Sequence, residues 1–253
     1  MSVDVAASQP PKRTFAQWRR DFIVTNGGKM RGFFDRLIAP WSTIPNTPIL
    51  DLAMFPGAEE LEANWEIVRD EFLALQQSER ALPPLADISP DHASIAEKTK
   101  WRAFFFYGYR MRVDKNCAKC PKTAALLDRF PGLETAMFSV MSDGTYVPHH
   151  RGVTKATLKF HLPLILPRDM TQCFIEVDGQ NYRWSQGKMF IFDDCYRHAV
   201  TNKSGDERAI LLLEVRRPLR WPGTWFADFF MWCVTASPFV QDARRNIHTW
   251  KVD

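Results

Sequence analysis

The sequence predicts a mainly β fold with flanking helices, built as a sandwich, a barrel or a jelly roll. Three observations predict it. From Thr135 to Pro218, short apolar runs follow one another (MFSVM, TLKFHLPLIL, CFIEV, QNYRWS, KMFIF, HAVTN, AILLLEV), rich in β-branched and aromatic residues. Turn residues separate them at Asp143-Gly144, Pro167-Arg168-Asp169, Asp178-Gly179, Gln186-Gly187 and Ser204-Gly205-Asp206. No long helical period interrupts the series, as the crossovers of a parallel α/β sheet would require.

The other elements can be taken in chain order. Residues 1–13 are small and polar and read as a disordered lead-in. From Thr14 to Trp41, aromatic and basic residues interleave, and Phe33, Phe34, Leu37 and Ile38 keep helical spacing. Such a helix either docks on the body of the protein or lies on an anionic membrane. A helix is expected over Ala58–Gln77, with Leu61, Trp65, Val68, Phe72 and Leu75 on one face. Residues 81–100 read as loop, Trp101–Met111 as strand, and Lys122–Phe130 as a short helix stopped by Pro131-Gly132. The tail is helical and aromatic, with Trp221, Trp225, Phe226, Phe229, Phe230 and Trp232. The expected divisions are therefore 1–40, 41–134, a β core over 135–218, and a tail over 219–253.

Composition narrows the function classes. The 253 residues, 45% hydrophobic and 25% charged, suffice for one domain with a large core. A net charge of +4 gives no reason to expect a nucleic-acid partner. The first ten residues lack the basic-then-apolar pattern of a secretion signal, and no apolar run is long enough to span a bilayer. Five scattered cysteines read as reduced thiols of a cytoplasmic protein, peripheral on the inner membrane face if residues 14–41 and 221–232 touch lipid. Cys117-x-x-Cys120 lacks the second pair that a zinc ribbon needs.

The histidines carry the chemistry. In TLKFHLPL, strand alternation puts Lys159 and His161 on one face, with His150 just before it at the rim. His149, its neighbour, faces the other way. Downstream, FDDCYRHAV turns through Asp193-Asp194 and delivers His198 to the start of a strand. Arg208 opens the strand after that. Two imidazoles converging at one mouth, with cations deeper inside, suit a divalent transition metal and an anionic co-substrate. Arginine can grip a carboxylate through two parallel hydrogen bonds.

The segments FSV, PHHRG, LKFHLPLILP, W-x-x-G, FDDCYRHAVTN and ERAILLLEVRRP, from Ala136 to Pro218, resemble the aspartyl/asparaginyl β-hydroxylase family of Fe(II)- and 2-oxoglutarate-dependent dioxygenases. The upstream segments PNTPILDLAMFPGAEELEANWEIVRDE and CPKTAALLDRFPGLETAMFSVM resemble its bacterial lipid A and ornithine-lipid acyl-chain hydroxylases. The resemblance implies a double-stranded β-helix (a jelly roll, cupin-like) and an enzyme using Fe(II), 2-oxoglutarate and O2. It implies that His150 and His198 bind iron and that Arg208 and Ser139 hold the far carboxylate of 2-oxoglutarate. Lys159 and His161 would line the pocket near its other end. Many such enzymes carry an acidic residue two positions after the first histidine; here Gly152 stands there, and water would fill the position. Asp193 and Asp194 are then expected to orient His198 or to cap the turn.

The favoured substrate is a lipid acyl chain. Two alternatives stay open: hydroxylation of Asp or Asn in a peptide or a small amino-acid-like metabolite, and a catalytically silent binding module, which Gly152 alone favours.

Overall fold

In the computed structural model the described residues are 30–77, 82–88 and 100–250. Helix α1 covers residues 30–38, followed by β1 (Ile49–Leu50), α2 (Ala58–Ala63), α3 (Trp65–Gln76) and α4 (Leu85–Ile88). Next come β2 (Trp101–Gly108), β3 (Met111–Arg112), α5 (Asp114–Cys117) and α6 (Pro121–Asp128). The strands β4 (Leu133–Met141), β5 (Thr145–His150), β6 (Thr157–Ile165), β7 (Cys173–Val177) and β8 (Gln180–Tyr182) follow. The chain closes with β9 (Phe190–Phe192), β10 (His198–Asn202), β11 (Arg208–Arg216), α7 (Gly223–Thr235) and α8 (Pro238–Thr249).

Two antiparallel sheets form a double-stranded β-helix. The larger runs β1-β9-β6-β11-β4-β2-β3 and the smaller β5-β10-β7-β8. Period-two alternation assigns the faces of the larger sheet. Its outward positions are apolar: Phe138 and Val140 on β4, Leu158, Phe160 and Leu162 on β6, Leu211 and Leu213 on β11. They bury Val68 and Phe72 of α3, with Phe72 edge-on to Phe138 at 5.1 Å. Each such aromatic contributes roughly 1.5–3 kcal/mol of burial. Met137 and Met141 of β4 point inward, toward Val147, Ile175 and Val200 of the smaller sheet. The same phase turns Ser139, Lys159, His161, Arg208 and Glu214 inward, onto one cavity.

Three elements differ from the sequence expectations. The helix over Ala58–Gln77 is broken at Asn64, whose Nδ2 donates to the Glu60 carbonyl at 2.7 Å and so competes with the helical ladder. The strand over Trp101–Met111 ends at Gly108, because Tyr109 and Arg110 take positive φ (51° and 67°) and turn the chain into β3. TYVPHH, read as a strand rim, is itself β5. β5 lies at the edge of its sheet, where Pro148, which lacks an N–H, is tolerated. Residues 1–13, and the part of the expected basic helix before residue 30, lie outside the described residues. The described part of α1 packs on the body, with Phe34 4.8 Å from Phe230 of α7.

Candidate active site

Strand ends bring the two rim histidines together. His150 closes β5, His198 opens β10, and they are register partners with ring centroids 4.1 Å apart. Each ring is held by the carbonyl two residues upstream: His150 Nδ1 donates to Pro148 O (2.8 Å) and His198 Nδ1 to Tyr196 O (2.9 Å). A carbonyl only accepts, so both protons sit on Nδ1 and both Nε2 lone pairs are free. Burial lowers His150 below the ordinary imidazole range and His198 to about 4. Both are therefore neutral at pH 7.

Of the two roles expected for the aspartates, orienting His198 or capping the turn, the cap is seen at Asp193. The Tyr196 carbonyl holds His198 Nδ1 at 2.9 Å, and the Asp194 backbone also bonds that histidine. Asp193 is fully buried, pairs with Arg217 and Lys155, and caps its own turn by accepting from Cys195 N at 3.0 Å. Asp194 has another role. A Cβ built on Gly152 would lie 2.2 Å from the Asp194 carboxylate, so the space a side chain at 152 would need is taken by that carboxylate. The two loops are tied by Gly152 N donating to the Asp194 carbonyl at 2.6 Å. Asp194 Oδ1 is buried without a hydrogen-bond partner, and burial pushes the carboxyl up to about 7 against the pull of Lys159. Asp193, Asp194 and Cys195 also crowd together by themselves. Two cations neutralise Asp193, and burial with the nearby carboxylates raises the Cys195 thiol, so that trio reads as a braced turn.

Arg208 lies deeper. It is 1% exposed, its guanidinium stacks 4.5 Å from the Trp184 ring, and its Nε and Nη1 have no hydrogen-bond partner. Burial lowers it to about 10, which leaves it charged. Trp184 also donates from Nε1 to His161 Nδ1 at 3.3 Å, and burial keeps His161 neutral. Ser139 is buried and accepts from Trp101 Nε1 at 3.0 Å. Lys159 Nζ lies 3.3 Å from Glu214 and 3.6 Å from Asp194. Burial would lower this ammonium, but the two carboxylates more than offset it and hold it above its ordinary value. His150, His198, Asp194, Arg208, His161, Ser139 and Lys159 line one cavity of about 270 Å³, which continues into an apolar arm between Leu85, Ile88, Phe105, Met137, Ala243 and Ile247. His149 is on the opposite face of β5, its Nε2 2.8 Å from Glu176.

The residue reading missed Trp184, Glu214 and the Gly152–Asp194 contact. Glu214 was legible, six residues along β11 from Arg208 and so in the same inward phase. The other two depend on tertiary placement. Two neutral imidazoles whose Nε2 atoms carry no proton suit a divalent iron. The unpartnered Arg208 fits a carboxylate.

A family model described as aspartyl/asparaginyl beta-hydroxylase matches residues 62–218. The chain belongs to that family. It is 35% identical over 213 residues to the ornithine lipid ester-linked acyl 2-hydroxylase of Rhizobium tropici, covering 83% of this chain and 75% of that one. It is 31% identical over 208 residues to human aspartyl/asparaginyl beta-hydroxylase, covering 79% of this chain but only 24% of the human protein. Among solved structures, a Pseudomonas putida prolyl-4-hydroxylase aligns at 16% identity and a TM-score of 0.42, over 74% of this chain and 99% of that one.

Proposed function

We propose that this member of the hydroxylase family is an iron(II)- and 2-oxoglutarate-dependent dioxygenase that hydroxylates the acyl chain of a membrane lipid. The observation that carries the co-substrate assignment is the buried, unpartnered Arg208 guanidinium beneath a pair of Nε2-presenting histidines. His150 and His198 would hold the iron, with Asp194 beside the position that a side chain at 152 would otherwise serve. When bound, iron supplies the activation of O2 that oxidises 2-oxoglutarate to succinate and CO2 and passes one oxygen atom to a C–H bond. Arg208 neutralises the far carboxylate of the co-substrate, Ser139 sits beside that end, and Trp184 fixes the plane of the guanidinium. His161 stays neutral and shapes the wall; Lys159 keeps Asp194 and Glu214 in place while remaining a cation near the co-substrate's other end.

The lipid assignment rests on the apolar arm and on size. A cavity of about 270 Å³ falls below the roughly 300–1,000 Å³ that encloses a whole small ligand. A lipid would insert one chain segment and leave its headgroup and other chains outside, at a bilayer surface. The similarity to an ornithine-lipid acyl hydroxylase supports the same substrate class. No described helix is long and apolar enough to cross a membrane.

The test is mass spectrometry of total lipids from a bacterial host expressing the wild type beside His198→Ala. A lipid that gains one oxygen atom only with the wild type supports the proposal. Succinate formation by the purified protein without any lipid change would move hydroxylation of Asp or Asn in a peptide ahead.

A further inference from the structure

Helix α7 has three faces with three fates. Ala227 is buried with Ile38 of α1 and Ala156, and the buried Phe230 packs on Phe34 of α1 at 4.8 Å. Met231 and Val234 line the catalytic cavity. The third face presents Trp225 (59% exposed), Phe229 (44%) and Trp232 (67%) as a ladder, with ring centroids 5.9 and 6.2 Å apart. Trp221, 80% exposed, stands at its start. Helix α1 continues the surface, since Met30 and Phe33 are exposed. Its opposite side is already committed: Arg31 donates to the Gly152 carbonyl at 3.3 Å, Asp35 accepts from Lys155 N at 2.8 Å, and Ile38 is fully buried.

The rim of this face is basic. Arg36 lies one turn beyond Phe33, Arg220 precedes Trp221, and Arg151 precedes the glycine that α1 holds. All three are exposed and make no ion pair among the described residues. Asp228, on the same helix, is answered by Arg216. Tryptophan at a polar–apolar boundary with arginine around it matches the interface of an anionic bilayer, where each nearby cation adds roughly 1 kcal/mol.

We infer that the exposed faces of α1 and α7 form a docking surface for an anionic lipid bilayer, and that docking sets the cavity mouth at the headgroup level. The inference rests on the lipid-substrate reading and gives it a geometry. Because Met231 and Val234 line the cavity one face round from Trp232, a chain leaving the bilayer beside α7 reaches the histidines without crossing open water.

Flotation of the full chain with vesicles tests this, using phosphatidylcholine alone and phosphatidylcholine with about a third phosphatidylglycerol. The expected result is partition at least about tenfold stronger into the anionic vesicles, weakened by salt. Arg36→Gln and Arg220→Gln should each lower it by about fivefold. Trp225→Ser with Trp232→Ser should abolish it with an unchanged melting temperature, since both side chains are exposed. Lipids brominated in the acyl chain should quench the wild type and not that double variant. Equal partition into both vesicles, or none, overturns the inference. So does a dimer in light scattering that the double variant makes monomeric, and so does partition that appears only once residues 1–29 are removed. If flotation fails while host lipids still gain oxygen, the docking face is wrong and the lipid chemistry stands. If flotation holds while no lipid is oxygenated, the docking face stands and the substrate reading falls.

Discussion

Gly152→Ala isolates the most specific geometric feature of the site. The added methyl would lie 2.2 Å from the Asp194 carboxylate, well inside any real contact. Neither group can move freely. Gly152 N is bonded to the Asp194 carbonyl at 2.6 Å, and Arg31 holds the Gly152 carbonyl. Forcing extra volume into such a place costs about 1–3 kcal/mol. At about 2–4 °C per kcal/mol for a chain of this size, the melting temperature should fall by about 2–12 °C. Gly152→Ala with Asp194→Ala should recover most of that loss, with a coupling of about 0.5–3 kcal/mol between the two sites. Thermal melts with and without manganese and 2-oxoglutarate, alongside succinate release, make the measurement. The single variant should lose both stability and the ligand-induced shift. The double variant should regain stability alone, because the carboxylate beside the histidines is gone. If Gly152→Ala melts and turns over like the wild type, or if removing Asp194 does not relieve it, the reasoning about that carboxylate is wrong.

Other outcomes follow from the same geometry. Arg208→Ala should raise KM for 2-oxoglutarate at least about 30-fold, the value of about 2 kcal/mol or more for a lost buried charge pair. The unliganded protein should not be destabilised to match, since Arg208 Nε and Nη1 have no hydrogen-bond partner to lose. Asp194 titrates at about 7 when folded, above its ordinary 3.8, so between those values the folded state binds more protons than the unfolded one. Stability of the metal-free protein relative to Asp194→Asn should therefore fall as pH rises from about 4 through 7; denaturant titrations with a flat difference would contradict this. Ala243→Phe should block the apolar arm, cutting lipid oxygenation while 2-oxoglutarate turnover without lipid persists. His149→Ala, on the outer face, should change turnover less than twofold, roughly the ±0.5 kcal/mol of an ordinary surface change.

Much of the fold was legible because its signals are local. Alternation in TLKFHLPLIL and AILLLEV separates an apolar outer face, covered by α3, from an inner face carrying Lys159, His161, Arg208 and Glu214. Turn glycines with positive φ mark the β7–β8 hairpin at 179 and the crossings between the two sheets at 144 and 205. The errors also have local causes. Asn64 interrupted a helix that periodicity alone would have continued, and positive φ at Tyr109 and Arg110 ended a strand early. The site was less legible. The two histidines and Arg208 lie at strand ends and could be found by counting, but what orients them is backbone: the carbonyls of Pro148 and Tyr196 leave no mark in side-chain identity. Gly152 read as a missing group. Asp194 sits 42 positions away in sequence, and only the β5–β10 pairing brings its carboxylate against that glycine.

The unsatisfied groups around the histidines point to one physical design. Buried polar atoms without partners cost about 1–3 kcal/mol each, and more when charged. Here they lie near the His150–His198 pair, at Asp194 Oδ1 and at Arg208 Nε and Nη1. A dicarboxylate reaching inward would satisfy the second, while the Asp194 carboxylate stays beside Lys159 Nζ at 3.6 Å. The remaining charges nearby are already matched, Lys159 with Glu214 and Asp193 with Arg217 and Lys155. Each ligand should raise the melting temperature alone, and the two together by more than the sum, if His150 and His198 hold the metal and Arg208 holds a co-substrate of opposite charge in the same cavity. Additive shifts would place the two ligands apart and remove the case for a shared centre at His150 and His198.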